Sequence, residues 1–516
     1  MGERIAFVFF VLLANLGISQ EVHVAGGGEL FISSKDALYI NNNLTVNASG
    51  SVTVSSDLTS SGSILVSGTT TGSIIYQRYV NQNVQNGNGW HLITSPVTTQ
   101  GINDFATNVN GANSIATNGN RYAIAAYNNA MSSGNRWEYY DTTTAPVAGN
   151  FVSGEGYSMK RTVGGLLTFE GAMASSDVLS SLSTASGTHY WSCIGNPFPS
   201  YLPVNNNANG TNVLGQNLGA LDPSFAALYF WDGAQYVAVN QITSATYLSP
   251  GQAFFVRAKS NNESFTFSES LTSHQAIADN FNRSTNTISS VVIHLSNGNQ
   301  QKSTELKYLP NADVGLDVGY DAGAYQDGQP DFSLDTHLVS DSQGVNFTLQ
   351  CLPDNAYDIM VVPLSVNAAA NQHLIFSAIA TNLPEGIDIY LEDKIANTFT
   401  KINETPYEVT TDDPISDIGR FYIHTSPHTL STEEVSDFQP INIYKTNASN
   451  IRITGLQDDG NIAMRMYSIG GKEVLRHSFV GQHLQDIAVP KSLKAGLYIV
   501  QIISEKRIRT KKLIIE

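Results

Sequence analysis

The sequence predicts an all-β, multidomain protein, and three observations carry that reading. Charged residues make up only 14% of the chain, and Asn, Ser, Thr and Gly carry the polar weight instead. Ser, Thr and Asn compete with the helix ladder for backbone hydrogen bonds and so favour turns and strand edges. Short apolar/polar alternations of strand period recur along the chain, separated by Gly-, Asn- and Pro-rich turns. The length, 516 residues, exceeds what one core usually organises. The order expected is a short-strand β-solenoid-like region, a duplicated β-sandwich-like region, a further β-module and a C-terminal seven-stranded Ig-like sandwich.

Residues 1–19 read as a signal peptide. Arg4 supplies the positive start, Ile5 to Leu16 form a short apolar run, and Gly17 and Ser19 are the small residues before cleavage at Gln20. The run is too short for a permanent anchor, and no later segment approaches about 18 consecutive apolar residues. A soluble chain outside the cytoplasm, with no transmembrane anchor, is the expectation. Two cysteines, Cys193 and Cys351, lie 158 positions apart beside apolar residues. They make no disulfide framework and read as buried free thiols.

Residues 20–76 carry the short strands Leu30-x-Ile32, Leu38-x-Ile40, Leu44-x-Val46, Val52-x-Val54 and Ile64-x-Val66. None is long enough to bury a face alone. Stacking them as solenoid rungs would solve that, and a small β-meander is the competing arrangement. Gly68-Thr-Thr-Thr-Gly72 reads as a turn in this region.

Residues 77–272 read as two β-sandwich-like repeats, about 77–175 and 176–272. Trp90-His-Leu-Ile-Thr-Ser-Pro96 matches Trp191-Ser-Cys-Ile-Gly-Asn-Pro197. Gly154-Glu-Gly-Tyr157 matches Gly251-Gln-Ala-Phe254, and Leu167-Thr-Phe169 matches Phe265-Thr-Phe267. The offsets are 101, 97 and 98, so the register holds through the unit. Between these anchors lie the aromatic and turn clusters Tyr127-Asn128 with Trp137, and Trp231-Asp232-Gly233 with Tyr236.

Residues 273–430 read as a β-sandwich module with strands at Val291 to Leu295, Asn346 to Leu349 and Ile387 to Leu391. The stretch 383–400 resembles a β-module often found just before sorting domains in secreted proteins of Bacteroidota. Residues 431–440, with Glu433, Glu434 and Asp437 and few apolar residues, read as a linker.

The last 76 residues, 441–516, contain seven short strand-like runs, as a small antiparallel sandwich requires. Asp458-Asp459-Gly460 and Gly470-Gly471 separate some of them as hairpin turns. Here 12 Lys and Arg stand against 6 Asp and Glu, a net +6; the whole chain is −17, so the remainder carries −23. So acidic a body argues against nucleic acid as a partner.

Three segments stand out within this region: Met464-Arg-Met-Tyr-Ser-Ile-Gly-Gly-Lys-Glu-Val474, Leu493-Lys-Ala-Gly-Leu-Tyr-Ile-Val500 and Thr510-Lys-Lys-Leu-Ile-Ile515. With them the region resembles the C-terminal sorting domain (type A) of the type IX secretion system of Bacteroidota. The motif residues are Gly470, Gly471, Lys472, Ala495, Gly496, Tyr498, Lys511 and Lys512. Lys445-Thr446-Asn447 stands where the family often has Pro-Asn-Pro, and Lys494 where it usually has Pro; both positions are expected at turns. The resemblance implies passage through the periplasm, delivery across the outer membrane by the secretion machinery, and removal of the sorting domain near the acidic linker.

No Gly-x-Ser-x-Gly, His-Glu-x-x-His, Walker A, GxGxxG or CxxC motif is present, so no catalytic residue and no metal ligand is nominated. His424 and His428 are close in sequence but lack further ligands and read as loop residues. Asp321, Asp327, Asp331 and Asp335 crowd one Gly-rich stretch. Calcium takes several oxygen ligands from such loops, which makes it the one candidate cofactor; a structural turn explains the same residues. Glu155 and Glu170 could be imagined as a glycosidase pair, but their repeat equivalents are Gln252 and Ser268. Asp141-Thr142-Thr143 resembles an O-glycosylation acceptor used by Bacteroidota.

All four tryptophans fall in the duplicated region. Aromatic faces stack on the apolar C–H faces of sugar rings. Trp90 and Trp191, beside apolar residues at equivalent positions, are expected in the core. Trp137 and Trp231, beside turn residues, are the candidate ligand-contact aromatics, although packing accounts for such residues as well. The functional expectation is an exported, adhesin-like binding or structural component with a glycan or surface partner. The alternative is an extracellular polysaccharide- or protein-degrading enzyme without a recognisable motif.

Overall fold

The computed structural model describes residues 17–19, 21–80, 89–107, 113–141, 149–185, 189–233, 235–275, 288–326, 330–355, 357, 360–427, 441–447, 450–456, 460–482, 484–490, 492–504 and 508–515. Most of the expected signal peptide, the linker 431–440, Asp327, His428, Thr142, Thr143, Asp458 and Asp459 lie outside them. The chain divides into two compact units, Met1–Ser284 and Thr285–Glu516. Nearly every described element is a strand. No described helix is long and apolar enough to cross a membrane.

The first unit begins with short strands that pair in parallel, each with the strand three places further on. Gly17–Ser19 pairs with Ala37–Ile40, and that with Ser63–Val66. Val22–Val24 pairs with Leu44–Val46, and that with Thr70–Thr71. Glu29–Ile32 pairs with Ser51–Ser55, and that with Ile74–Val80. A meander would pair sequential strands antiparallel, so it is not the arrangement found. Thr70 and Thr71, expected in a turn, pair as a strand because the sheet reaches one strand further than alternation alone indicates. Gly17–Ser19, inside the expected signal peptide, supplies an outermost strand.

Ile74–Val80 also pairs antiparallel with Gly165–Gly171. It therefore ties the parallel region to the antiparallel strands beyond it. One apolar core accordingly runs from Val24 to Met173, across the sequence boundary expected at residue 76. A separate core gathers residues from Leu182 to Leu271.

The two sheets over these cores have matching order. In one, Trp90–Ile93, Tyr157–Lys160, Arg121–Tyr127 and Trp137–Asp141 are neighbours in turn. In the other, Trp191–Gly195, Ala253–Arg257, Leu228–Trp231 and Tyr236–Val239 show the same sequence of pairings. The sheets are cross-linked reciprocally: Ile93 bridges to Gln252, and Glu155 to Ile194. The Thr94 N–H donates to the Gly251 carbonyl at 3.1 Å, and the Gly195 N–H to the Gly154 carbonyl at 3.0 Å.

In the second unit, residues expected as a β-sandwich form one continuous sheet. Its path runs through ten strands from Thr398–Lys401 to Tyr407–Thr410, with Ala322–Gly323 attached to Phe347–Pro353. The sheet nearly closes on itself: the Ala378 N–H donates to the Ile402 carbonyl at 3.0 Å, joining regions from its two ends. A curled sheet buries its inner face without a second layer, which is why alternation alone did not distinguish barrel-like from stacked. The inner face carries Val291, Ile293, Leu306, Leu364, Phe376, Leu391 and Phe421.

The last seven strands form a three-stranded sheet and a four-stranded sheet enclosing Ile443, Ile453, Met464, Met466, Val500 and Leu513. This is the sandwich expected from the sequence. Lys445 to Asn447 continue the strand Asn442–Asn447 with a ladder irregularity, rather than standing in the turn expected there.

Candidate functional site

A cluster of aromatic side chains lies where the two matching sheets of the first unit meet. It is built from cross-strand pairs near strand ends. Tyr127 faces Trp137 across one ladder, and Trp231 faces Tyr236 across the other. Phe255, fully buried, sits between the pairs, with ring centroids 4.7 Å from Tyr127, 6.0 Å from Trp137 and 5.4 Å from Tyr236. Edge-to-face contacts of this kind hold rings in fixed orientation. The Tyr127 hydroxyl is anchored from below, 2.7 Å from Nε2 of His189. Burial, and then the charges of Arg136 and Arg257, push the His189 pKa down to about 4. The imidazole is therefore neutral at pH 7 and serves as a fixed hydrogen-bond partner.

Two adjoining cavities open over this cluster. One, of about 260 Å³, is lined by Trp90, His91, Leu92, Trp137, Tyr139, Ser158, Trp231 and Tyr236. The other, of about 270 Å³, shares Trp90, His91, Leu92 and Trp231 and adds Arg78, Asp232 and Gln252 among others. Three of the four tryptophans thus line one groove. Ring faces supply apolar area, and a few polar groups along the rim supply direction, the usual composition of a small-molecule site. The Asp232 carboxylate accepts from the Gln235 N–H at 2.8 Å, Arg78 donates to Ser61 Oγ at 2.8 Å, and the Gln252 side-chain oxygen accepts from the Ser249 N–H at 3.0 Å.

Trp137 and Trp231 stand half-buried in the groove. Trp191 is core, 2% exposed, packed edge-on against Tyr229 and Phe225. Trp90 was expected to match it and does not. It is half-buried, lines both cavities, and touches Tyr139 edge-on with Lys160 Nζ 6.0 Å from its ring centre. The reason lies across the sheet. Tyr229, opposite Phe255, covers Trp191; the matching ladder position, opposite Ser158, is Ala125, too small to cover Trp90. Tyr139 was likewise missed by sequence reasoning; its place two residues after Trp137 on one strand is the only signal that could have found it.

Other sequence candidates go elsewhere. Glu155 is bridged to Ile194, and Glu170 is exposed opposite Ile75; neither lines the groove. The Asp321 carboxylate accepts from the backbone N–H groups of Asp317, at 2.7 Å, and Cys351, at 2.6 Å, as a turn-fixing residue does. Asp335 is buried in the sheet opposite Ser365. No cluster of three or more metal-ligating side chains occurs among the described residues. His424 Nε2 lies 2.9 Å from a Glu392 carboxylate oxygen. Cys193 and Cys351 are free and buried, and burial raises both thiol pKa values.

In the C-terminal sandwich, Gly470 and Gly471 make the hairpin turn before Lys472; the Gly471 N–H donates to the Ser468 carbonyl at 2.8 Å, with Gly471 at φ +79°. Ala495 and Gly496 lead into the strand Gly496–Ile503. There Tyr498 is buried, and its hydroxyl donates to the Lys494 carbonyl at 2.7 Å. Lys511 is half-buried and Lys512 exposed on the final strand.

Residues 442–516 match the family described as Secretion system C-terminal sorting domain. This match assigns the chain to type IX export across the outer membrane, to the cell surface or the medium. Comparison with curated proteins finds no match. Residues 10–424 match the family described as Domain of unknown function (DUF8693), a single span over both the parallel-strand region and the barrel-like sheet. The chain therefore belongs to the DUF8693 family, with a type IX sorting domain after the family region.

Proposed function

We propose that this exported protein is an adhesin-like binding component, and that it takes a glycan chain in the aromatic groove of its first unit. The observation that carries the reading is the convergence of Trp90, Trp137, Tyr139, Trp231 and Tyr236 on two adjoining cavities. Trp137 and Trp231 are the principal ring contacts. Parallel pairing at every third strand supports a solenoid-like N-terminal region, a rigid base for such a site. Matching strand order, reciprocal bridges and the offsets of 101, 97 and 98 support an internal duplication, with the groove at the junction of its copies. On the sorting domain, the turn at Gly470, Gly471 and Lys472, the Ala495-Gly496 strand start with Tyr498, and Lys511 and Lys512 carry the address that the secretion machinery reads.

The test is retention of the purified protein on a panel of insoluble polysaccharides, with reducing ends measured in the same tubes. Retention without new reducing ends is expected, and W137A or W231A should weaken it by about tenfold or more, as loss of a stacked aromatic anchor does. Retention unchanged in the double variant would remove the groove from the binding reading. Release of reducing ends would replace that reading with a polysaccharide-degrading enzyme.

A further inference from the structure

The second unit contains a cavity of about 420 Å³ between the barrel-like sheet and the sorting domain. Lys394, Tyr422 and His424 line it from the sheet, and Tyr444, Arg509 and Lys511 from the sorting domain. The contact is an ordered one. The Tyr444 hydroxyl donates to the Tyr422 hydroxyl at 3.0 Å, and Arg452 of the sorting domain donates to the carbonyls of Ser416 and Ile418 at 2.6 and 2.7 Å.

The charges in this cavity do not balance. Its one carboxylate, Glu392, already accepts from Lys394 Nζ and pairs with His424. Arg509 and Lys511 have no hydrogen-bonded or ion-paired carboxylate among the described residues. Lys511 lies 5.5 Å from the centre of the Tyr444 ring, and Asp341 acts on it only through space. Burial, and then the neighbouring Arg509, push the Lys511 pKa below the ordinary lysine value. Two adjacent cations, one of them partly desolvated beside an open cavity, are a site short of negative charge.

We propose that this cavity binds a tetrahedral oxyanion, phosphate or sulfate, held by Arg509 and Lys511 and closed on the other side by Lys394 and the tyrosine pair. Arginine matches an oxyanion through paired N–H donors, and lysine adds a point charge. Because both walls contribute, anion binding and docking of the sorting domain on the sheet stabilise one another.

The experiment is titration calorimetry of the full chain with inorganic phosphate and with sulfate, at constant ionic strength set by chloride. Saturable one-site binding to either anion is expected. R509Q and K511Q should each weaken it about tenfold or more, the loss expected for one charge-assisted hydrogen bond. K512Q, which removes the same charge from the exposed neighbour, should leave it unchanged. Arg509 is exposed, so R509Q should keep the fold and remains decisive if K511Q does not. Absence of saturable binding to the unaltered chain, or equal binding by R509Q, would overturn the proposal.

Discussion

At the scale of single residues, burial decides more than residue type. Asp335 is an example. It lies inside the sheet opposite Ser365; burial, and then the nearby Asp417 against the pull of Lys302, push its pKa up to about 7. Asp417 itself is ionised, its carboxylate accepting from Ser365 Oγ at 3.1 Å and pairing with His337. A carboxyl with a raised native pKa favours the folded state at pH values below its unfolded pKa of about 4, and that contribution is lost as pH rises toward 7. D335N removes the titration while keeping the shape. We expect D335N to be more stable than the unaltered chain at pH 8, by on the order of 2 to 4 kcal/mol, and nearly equal to it at pH 4.5. Urea midpoints at the two pH values check this, and a pH-independent difference would refute it. The sequence placed Asp335 in a loop-like acidic stretch because three other aspartates share that stretch; only the ladder shows it paired within a sheet. The same holds for Trp90 and Trp191, whose local sequences are alike and whose fates differ through Ala125 and Tyr229.

At the scale of elements, the N-terminal strands are two to seven residues long and depend on close stacking. Gly72 makes that stacking visible. It sits at φ +91°, and a Cβ there would fall 2.2 Å from the Val46 carbonyl oxygen of the neighbouring strand. G72A therefore meets both a disfavoured backbone conformation and a main-chain clash that no rotamer relieves. We expect a loss of about 1–3 kcal/mol, read by hydrogen exchange as reduced protection of the strands around Val46 before any change in the second unit. Protection unchanged at Val46 would mean that the strand spacing there is loose. The positions of these strands were legible in the Leu-x-Ile and Val-x-Val alternations. Their partners were not, because alternation records which face is buried and carries no information about which strand lies alongside.

At the scale of the whole molecule, export is a property of the last domain. Its net charge of +6 against −23 for the remainder and its family match distinguish it in the sequence. Deleting residues 441–516 should leave the protein in the periplasm of its native host, as fractionation and immunoblotting would show. Normal release of the truncated chain would contradict the assignment. The deletion also strips the cover from Tyr422 and Ile418, which pack against Tyr444. A truncated chain should therefore be compared with one whose sorting domain is intact but carries altered turn residues at Gly470 and Gly471.

Local pattern by itself determined the β class, most of the described strand positions and the identity of the sorting domain. These depend on side-chain alternation, turn residues and short motifs, all of which are contiguous in sequence. The tertiary structure alone decided the parallel stacking at every third strand, the curling of the second unit into one nearly closed sheet, and the inclusion of Trp90 in the groove. It also decided the charge imbalance around Lys511. Each of these depends on which distant residue fills the space opposite, and that is settled by packing between segments far apart in the chain.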